Sequence, residues 1–84
     1  MNLQADILRH LLLTLLEAGS PLAEPTLKSS LRTAFHHVAF TEAHLDSFIR
    51  EAEGRKLITG HTNAVLGTMW GLTDLGTSTA QQLR

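Results

Sequence analysis

The chain has 84 residues, of which 43% are hydrophobic and 18% charged, and its formal net charge is −1. This length and composition predict one globular domain over residues 1–84 and leave no room for a second. The absence of cysteine excludes disulfides, thiolate zinc sites and thiol catalysis. No stretch has the roughly 20 apolar residues of a membrane helix and no secretory leader is evident, so we expect no membrane partner and a cytoplasmic location.

The first two thirds of the chain are expected to form three helices. Leucines that recur at intervals of three and four indicate an amphipathic helix over residues 3–18. Its apolar arc is about twice as wide as a surface helix needs, so the helix either lies at the centre of the domain or also meets a second copy. A second helix is expected over residues 24–37. A third begins after the N-cap residue Thr41 and ends near Gly54 or Arg55.

The composition changes after the third helix to threonine, glycine, asparagine and apolar residues. Two short strands are expected over residues 57–62 and 66–72, joined through residues 63–65 into a hairpin. Thr73 is placed to cap a last helix that covers residues 74–83. These elements together predict an α+β fold in which helices dominate.

Two segments resemble known sequence patterns. Residues 48–58, which include Gly54, Lys56 and the pair Leu57-Ile58, resemble the end of the third helix of a winged-helix domain and the first strand of its wing. Residues 70–76, Trp-Gly-Leu-Thr-Asp-Leu-Gly, resemble the strand that leaves the wing and enters the last helix. The chain therefore resembles the winged helix-turn-helix superfamily over nearly its whole length. The resemblance implies three helices, a β-hairpin wing and a short C-terminal helix.

The sequence departs from this superfamily at one position. Members commonly have glycine immediately before the Leu-Ile pair, where the chain leaves the helix with positive φ, but Lys56 stands there in this chain. Either the exit from the third helix is rearranged, or Lys56 adopts the left-handed conformation. The sequence does not choose between these alternatives.

The resemblance implies a small DNA-binding protein, such as a transcriptional regulator or a DNA-associated factor. In DNA-binding members the third helix enters the major groove and the wing touches phosphates. A helical projection places Ser47 and Arg50 on the outward face of the third helix, where they are expected to contact bases. The expected phosphate contacts are Lys28, Arg32, Arg55, Lys56, Thr62 and Asn63.

A homodimer is also expected, because it would double the number of phosphate contacts and match the symmetry of many such regulators. The predicted interface is the wide apolar arc of the first helix or contacts between helix ends. The residues expected to meet the second copy are Leu3, Ile7 and Leu13.

The charge pattern supports an alternative function. Acidic residues flank the same face of the third helix and would repel phosphates, and no Lys or Arg occurs between residues 57 and 83. A winged helix with an uncharged wing is also typical of a protein-interaction module that does not bind DNA. Four apolar residues are expected to be exposed for such a partner: Leu13, Val65, Leu66 and Met69. Because members of the superfamily it resembles more often bind nucleic acid, DNA binding is the expected function and protein interaction is the alternative.

Other chemistry has little support in the sequence. The five histidines are His10, His36, His37, His44 and His61, and no pair has the spacing of metal ligands on a helix, so neither a metal nor a cofactor is expected. His36, His37 and His44 are expected to cluster near the turn before the third helix and to gain charge between about pH 5 and 7. No catalytic motif is present, and an enzyme is not expected. Trp70 is expected to pack the hairpin against the first and third helices rather than to stack on a ligand.

Overall fold

The computed structural model describes residues 3–84, which form four helices and a three-stranded antiparallel sheet. The strand order in the sheet is β1-β3-β2. The predicted α+β class with dominant helices is confirmed. None of the helices in the described part of the chain has both the length and the hydropathy required to cross a bilayer. The elements in chain order are α1 Leu3–Ala18, β1 Leu22–Ala23, α2 Glu24–Ala34, α3 Glu42–Gly54, β2 Ile58–Asn63, β3 Gly67–Leu72 and α4 Asp74–Leu83.

The bounds predicted for α1, α3 and α4 are confirmed, together with the caps of α3 and α4. The Thr41 hydroxyl accepts a hydrogen bond from the His44 amide at 3.2 Å, and His44 Nδ1 accepts one from the Thr41 amide at 3.2 Å. The Thr73 hydroxyl accepts a bond from the Gly76 amide at 2.9 Å. These bonds satisfy amides that the first turn of a helix leaves without an intrahelical partner.

Helix α2 ends at Ala34, three residues before the predicted end. Phe35 leaves the helical region with φ −115° and ψ 45°. Its ring packs edge-on against Phe40 at a centroid distance of 6.3 Å. It also contacts the rings of His10 at 5.8 Å and His37 at 6.4 Å. The residues that follow, His36, His37 and Val38, have low helix propensity. Aromatic packing therefore outweighs continuation of the helix at this point.

The sheet differs from the prediction in two details. Strand β1 was not expected, because a two-residue strand has no periodicity; it pairs with β3 through Leu22 opposite Trp70 and Ala23 opposite Met69. The hairpin loop covers residues 64–66 rather than 63–65, because Asn63 pairs with Gly67. Both hairpin strands therefore begin one residue later than predicted.

Helix α1 lies at the centre of the domain, as one interpretation of its wide apolar arc predicted. Its residues Ile7, Leu11, Leu12 and Leu15 are at most 3% exposed. The burial of Ile7, at 1%, corrects the prediction that this side chain contacts a second copy, since it already packs inside the monomer. The other elements contribute Leu27, Leu31, Leu45, Ile49, Ala52, Leu57, Ile58, Trp70 and Ala80 to the same core.

The junction between α3 and β2 is held by the start of α4. Lys56 takes the left-handed conformation with φ 63°, the second of the two alternatives that the sequence allowed. The Thr73 hydroxyl donates to the Lys56 carbonyl at 2.6 Å, and the Thr73 amide donates to the Leu57 carbonyl at 3.1 Å. A Cβ at Gly76 would lie 1.8 Å from the Leu57 carbonyl oxygen. Only glycine therefore lets α4 approach this backbone so closely.

Candidate interaction surface

The outward face of α3 carries the two predicted base contacts. Ser47 and Arg50 are both exposed, which agrees with the helical projection. A groove of about 550 Å³ separates α3 from the hairpin, and Arg50 and Asp46 lie along its helical side. Glu24, Lys28, Gly60 and Trp70 are among the other residues that line it. The surface that would meet a partner thus contains both signs of charge.

Lys28 lies among three carboxylates at the α2 side of this groove. Its Nζ is 2.6 Å from Asp46 Oδ1, 3.0 Å from Glu42 Oε2 and 3.6 Å from Glu24 Oε2. Its side chain is only 12% exposed. The hydrogen bond with Asp46 is the main reason that the pKa of Lys28 is raised above its ordinary 10.5, although desolvation opposes the rise. Lys28 is therefore a charged member of an internal network rather than a free cation.

Two further predicted phosphate contacts are also held by carboxylates. Arg32 is 2.8 Å from Glu42 Oε1, and Arg55 is 3.2 Å from Glu51 Oε1. Glu42 thus bridges Arg32 and Lys28, and the hydrogen bond from Arg32 is the main reason that the pKa of Glu42 is lowered from its ordinary 4.5. Of the four predicted cations, Lys56 is the one that makes no ion pair with any of residues 3–84.

Sequence spacing reveals only part of this network. Glu24 and Lys28 are four residues apart on one helix, which is the spacing of a helical ion pair, and Glu51 and Arg55 repeat it. The shortest contact of the network, Lys28 with Asp46, joins two helices. No spacing rule predicts that contact, because it depends on how α2 packs against α3.

Trp70 packs inside the domain, as predicted, and is 7% exposed. A Cβ placed on Gly60 would lie 2.8 Å from the indole ring, so the ring lies directly over the backbone of β2. The indole Nε1–H donates to Glu24 Oε1 at 3.1 Å. This bond links the hairpin to α2 and to the Lys28 network, a connection that the sequence analysis did not predict.

The tip of the hairpin is apolar. Asn63 Oδ1 accepts hydrogen bonds from the amides of Val65 at 2.8 Å and Leu66 at 2.9 Å. The side chain oxygen of this predicted phosphate contact therefore already closes the turn, while Thr62 is exposed beside it. Val65 is 89% exposed and Leu66 55% exposed, as expected, so the tip presents two aliphatic side chains to a partner.

The remaining predicted exposed residues are less accessible. Leu13 and Met69 are both half-buried. Leu3, at 40% exposure, is an accessible apolar residue of α1. The predicted dimer surface on α1 is therefore reduced to Leu3 and part of Leu13.

Of the three histidines predicted to cluster, His36 and His37 lie together, whereas His44 makes no ring contact with them. The His36 and His37 rings are 5.8 Å apart, and His37 lies 6.4 Å from the Phe35 ring, which also contacts His10. His44 has no part in these ring contacts, because its ring folds back to cap its own helix. Within residues 3–84, no group of three His, Cys, Asp or Glu side chains is arranged to hold a metal ion.

Comparison with known proteins gives no further constraint on this surface. No protein-family model, no curated protein and no solved structure shows significant similarity to the chain.

Proposed function

We propose that this chain is a winged-helix domain that binds another protein chain rather than duplex DNA. The element order supports the winged-helix arrangement, because three helices are followed by a hairpin and a last short helix. The left-handed Lys56 also supports it, since this residue stands where the superfamily commonly has glycine. In this arrangement, α3 is the helix that would recognise a partner and the β2–β3 hairpin is the wing.

The observation that carries the proposal is the internal pairing of the cations. Affinity for DNA comes largely from cations that replace counterions on phosphates. Lys28, Arg32 and Arg55 already have carboxylate partners, so a phosphate would have to displace those partners. The displaced carboxylates would then lie next to the phosphate and repel it. Little electrostatic affinity for DNA is therefore expected from this surface.

The wing supports the same function. It has no Lys or Arg, and its tip exposes Val65 and Leu66. The buried centres of protein interfaces are depleted of charge and rich in apolar groups. Exposed apolar side chains beside an uncharged strand match that composition better than they match a phosphate-contacting loop.

The test is fluorescence anisotropy with a mixed-sequence DNA duplex at about 50 mM and 200 mM salt. We expect no binding tighter than about 100 µM at the lower salt concentration, where non-specific contacts are strongest. Micromolar binding that weakens several-fold at the higher salt concentration would contradict the proposal and establish a phosphate-contacting face.

A matched variant tests the physical reason. Glu42→Gln together with Asp46→Asn removes two carboxylates and changes the formal net charge from −1 to +1. It also leaves Lys28 and Arg32 without their closest partners. This double variant is expected to gain DNA binding with a measurable salt dependence, because each cation that reaches a phosphate adds about −0.9 to the salt slope.

DNA binding by a homodimer is the second candidate, and the exposure of Ser47 and Arg50 favours it. Arg50 makes no ion pair with any residue from 3 to 84, so its guanidinium is available to a base. If the anisotropy experiment detects DNA binding, Arg50→Ala is expected to reduce sequence discrimination by about 1–3 kcal/mol. Unchanged discrimination would remove α3 from a recognition role.

A further inference from the structure

The two edges of the sheet differ in how they are protected. Strand β1 forms one edge, has only two residues and continues directly into α2, which carries Pro25 in its first turn. Strand β2 forms the other edge and has six residues, of which 59–63 are exposed. Soluble proteins usually protect a long edge strand with charged side chains, proline or a bulge, because its unpaired backbone groups can pair with another strand.

None of these protections is present on β2. Its residues are Ile, Thr, Gly, His, Thr and Asn, with no Asp, Glu, Lys, Arg or Pro. Its register with β3 is continuous from Ile58 opposite Leu72 to Asn63 opposite Gly67, so the strand has no bulge. In the described part of the chain, β2 pairs with β3 alone. Its outer edge is therefore open over residues 59–63, whereas Ile58 is buried in the core.

We propose that this edge binds the β2 strand of a second copy in antiparallel orientation and joins the two sheets. This inference rests on the proposed function and names the protein partner. Antiparallel pairing about a two-fold axis places a residue near the middle of the strand, Gly60 or His61, opposite its own counterpart. A charged residue there would repel itself, since like charges directly opposite destabilise a strand pair. The uncharged composition of β2 is therefore compatible with self-pairing.

The size of the contact determines its strength. The five exposed residues 59–63 span about 17 Å and can exchange backbone hydrogen bonds along that length. Such a strip is smaller than the interfaces of stable dimers, so the association is weak and depends on concentration. The apolar tip of one copy lies near the start of β2 in the other, where Val65 adds contact area.

The experiment is sedimentation equilibrium of the 84-residue chain at about 5 to 500 µM, a range that detects weak dimers. The wild-type chain is expected to form a dimer within this range. His61→Lys places a charge near the two-fold axis and is expected to weaken the association at least tenfold. Gln82→Lys makes the same charge change on an exposed position of α4 and is expected to leave the association unchanged.

A mixing experiment separates loss of pairing from loss of folding. His61→Lys and His61→Glu are each expected to be monomeric, whereas an equal mixture is expected to regain dimers because the charges are then opposite. The circular dichroism and thermal unfolding of each variant should match the wild-type chain, since His61 is exposed.

Two results would overturn the inference. One is a wild-type chain that stays monomeric at every concentration, and the other is a dimer that His61→Lys does not weaken. Loss of the dimer in Leu3→Lys with no effect of His61→Lys would assign the interface to α1 instead. Salt-dependent DNA binding would contradict the proposed function without changing these sedimentation results, so the two failures are distinguishable.

Discussion

The α2–α3 surface and the β2–β3 hairpin face the same groove but differ in how they use charge. On the helical side, Lys28 contacts three carboxylates and Arg32 shares one of them. The hairpin has no Lys or Arg and ends in the exposed side chains of Val65 and Leu66. The helical surface therefore satisfies its charges internally, while the hairpin leaves apolar groups and backbone groups available to a partner.

This difference shows why the number of cations does not measure the electrostatic affinity of a surface. The chain has seven Lys and Arg residues, but Lys28, Arg32 and Arg55 are paired within the domain. A cation with a carboxylate partner contributes less to phosphate binding than an unpaired one, because the pair must first separate. The position of the hairpin relative to the α2–α3 surface depends on the junction between α3 and β2, which the start of α4 holds.

Gly76→Ala should have the largest effect, because it disrupts that junction. The added Cβ would lie 1.8 Å from the Leu57 carbonyl oxygen, so α4 must move away from the connection between α3 and β2. The hydrogen bonds from Thr73 to this connection would be strained by the same movement. We expect a loss of about 3 kcal/mol or more in the free energy of unfolding, measured by urea denaturation.

Gly54→Ala is the matched control for this substitution. A Cβ at Gly54 meets no atom within 4 Å, and Gly54 is the last residue of α3. Alanine there should change the free energy of unfolding by less than about 1 kcal/mol, because no neighbour has to move. Equal losses for the two variants would show that close approach to Leu57 is not the reason for glycine at position 76.

Gly60→Ala should have the next largest effect, and it acts on the contact between the hairpin and the helices. The new Cβ would lie 2.8 Å from the Trp70 ring, so the indole must shift from its place in the core. The shift would also disturb the bond from Trp70 to Glu24. We expect a loss of about 2 kcal/mol in unfolding experiments, together with a change in tryptophan fluorescence. An unchanged emission spectrum would contradict this account.

The extent to which the sequence predicts the fold depends on how local each interaction is. The caps at Thr41 and Thr73 and the bounds of α1, α3 and α4 depend on neighbouring residues, and they were predicted correctly. The early end of α2 depends on ring packing around Phe35, and β1 depends on pairing with a strand about 47 residues later, so neither could be read from a local pattern.

The same distinction applies to the candidate surface. The exposure of Ser47 and Arg50 was predicted from helical periodicity alone. The pairing of Lys28 with Asp46 was not, because it requires the relative placement of two helices. Ile7 was assigned to a dimer surface because a sequence shows that a side chain is apolar but not which apolar neighbour covers it.

Lys28→Met tests the charge network of the helical surface. The substitution keeps most of the unbranched apolar stem but removes the ammonium group that Glu24, Glu42 and Asp46 share. We expect a loss of about 1.5 kcal/mol in the free energy of unfolding at pH 7, since a network of ion pairs contributes more than one exposed pair. Arg55→Met is the control, because it removes one exposed pair four residues apart on a helix and should cost less than about 0.5 kcal/mol.

The effect of Lys28→Met should depend on pH in a defined direction. The pKa of Glu42 is lower in the folded chain than its ordinary 4.5, so its contribution is present above about that pH and is lost as the pH falls through the folded value. The pKa of Lys28 is raised above 10.5, so its contribution is present below that pH and is lost at more alkaline pH. The difference between variant and wild type should therefore shrink in unfolding experiments at about pH 3. A difference that is equal at pH 3 and pH 7 would mean that packing of the Lys28 stem, and not its charge, stabilises the domain.

The smallest effects are expected at the tip of the hairpin, where the turn and the proposed partner contact depend on different residues. Asn63→Ala removes the acceptor of two amide bonds in the turn and should cost about 1 kcal/mol. Val65→Ser should change the free energy of unfolding by less than about 0.5 kcal/mol, because its side chain is 89% exposed and packs against little of the domain. If Val65→Ser were the more destabilising of the two in thermal unfolding, the tip side chain would be part of the fold. Its exposure could then no longer be attributed to a partner.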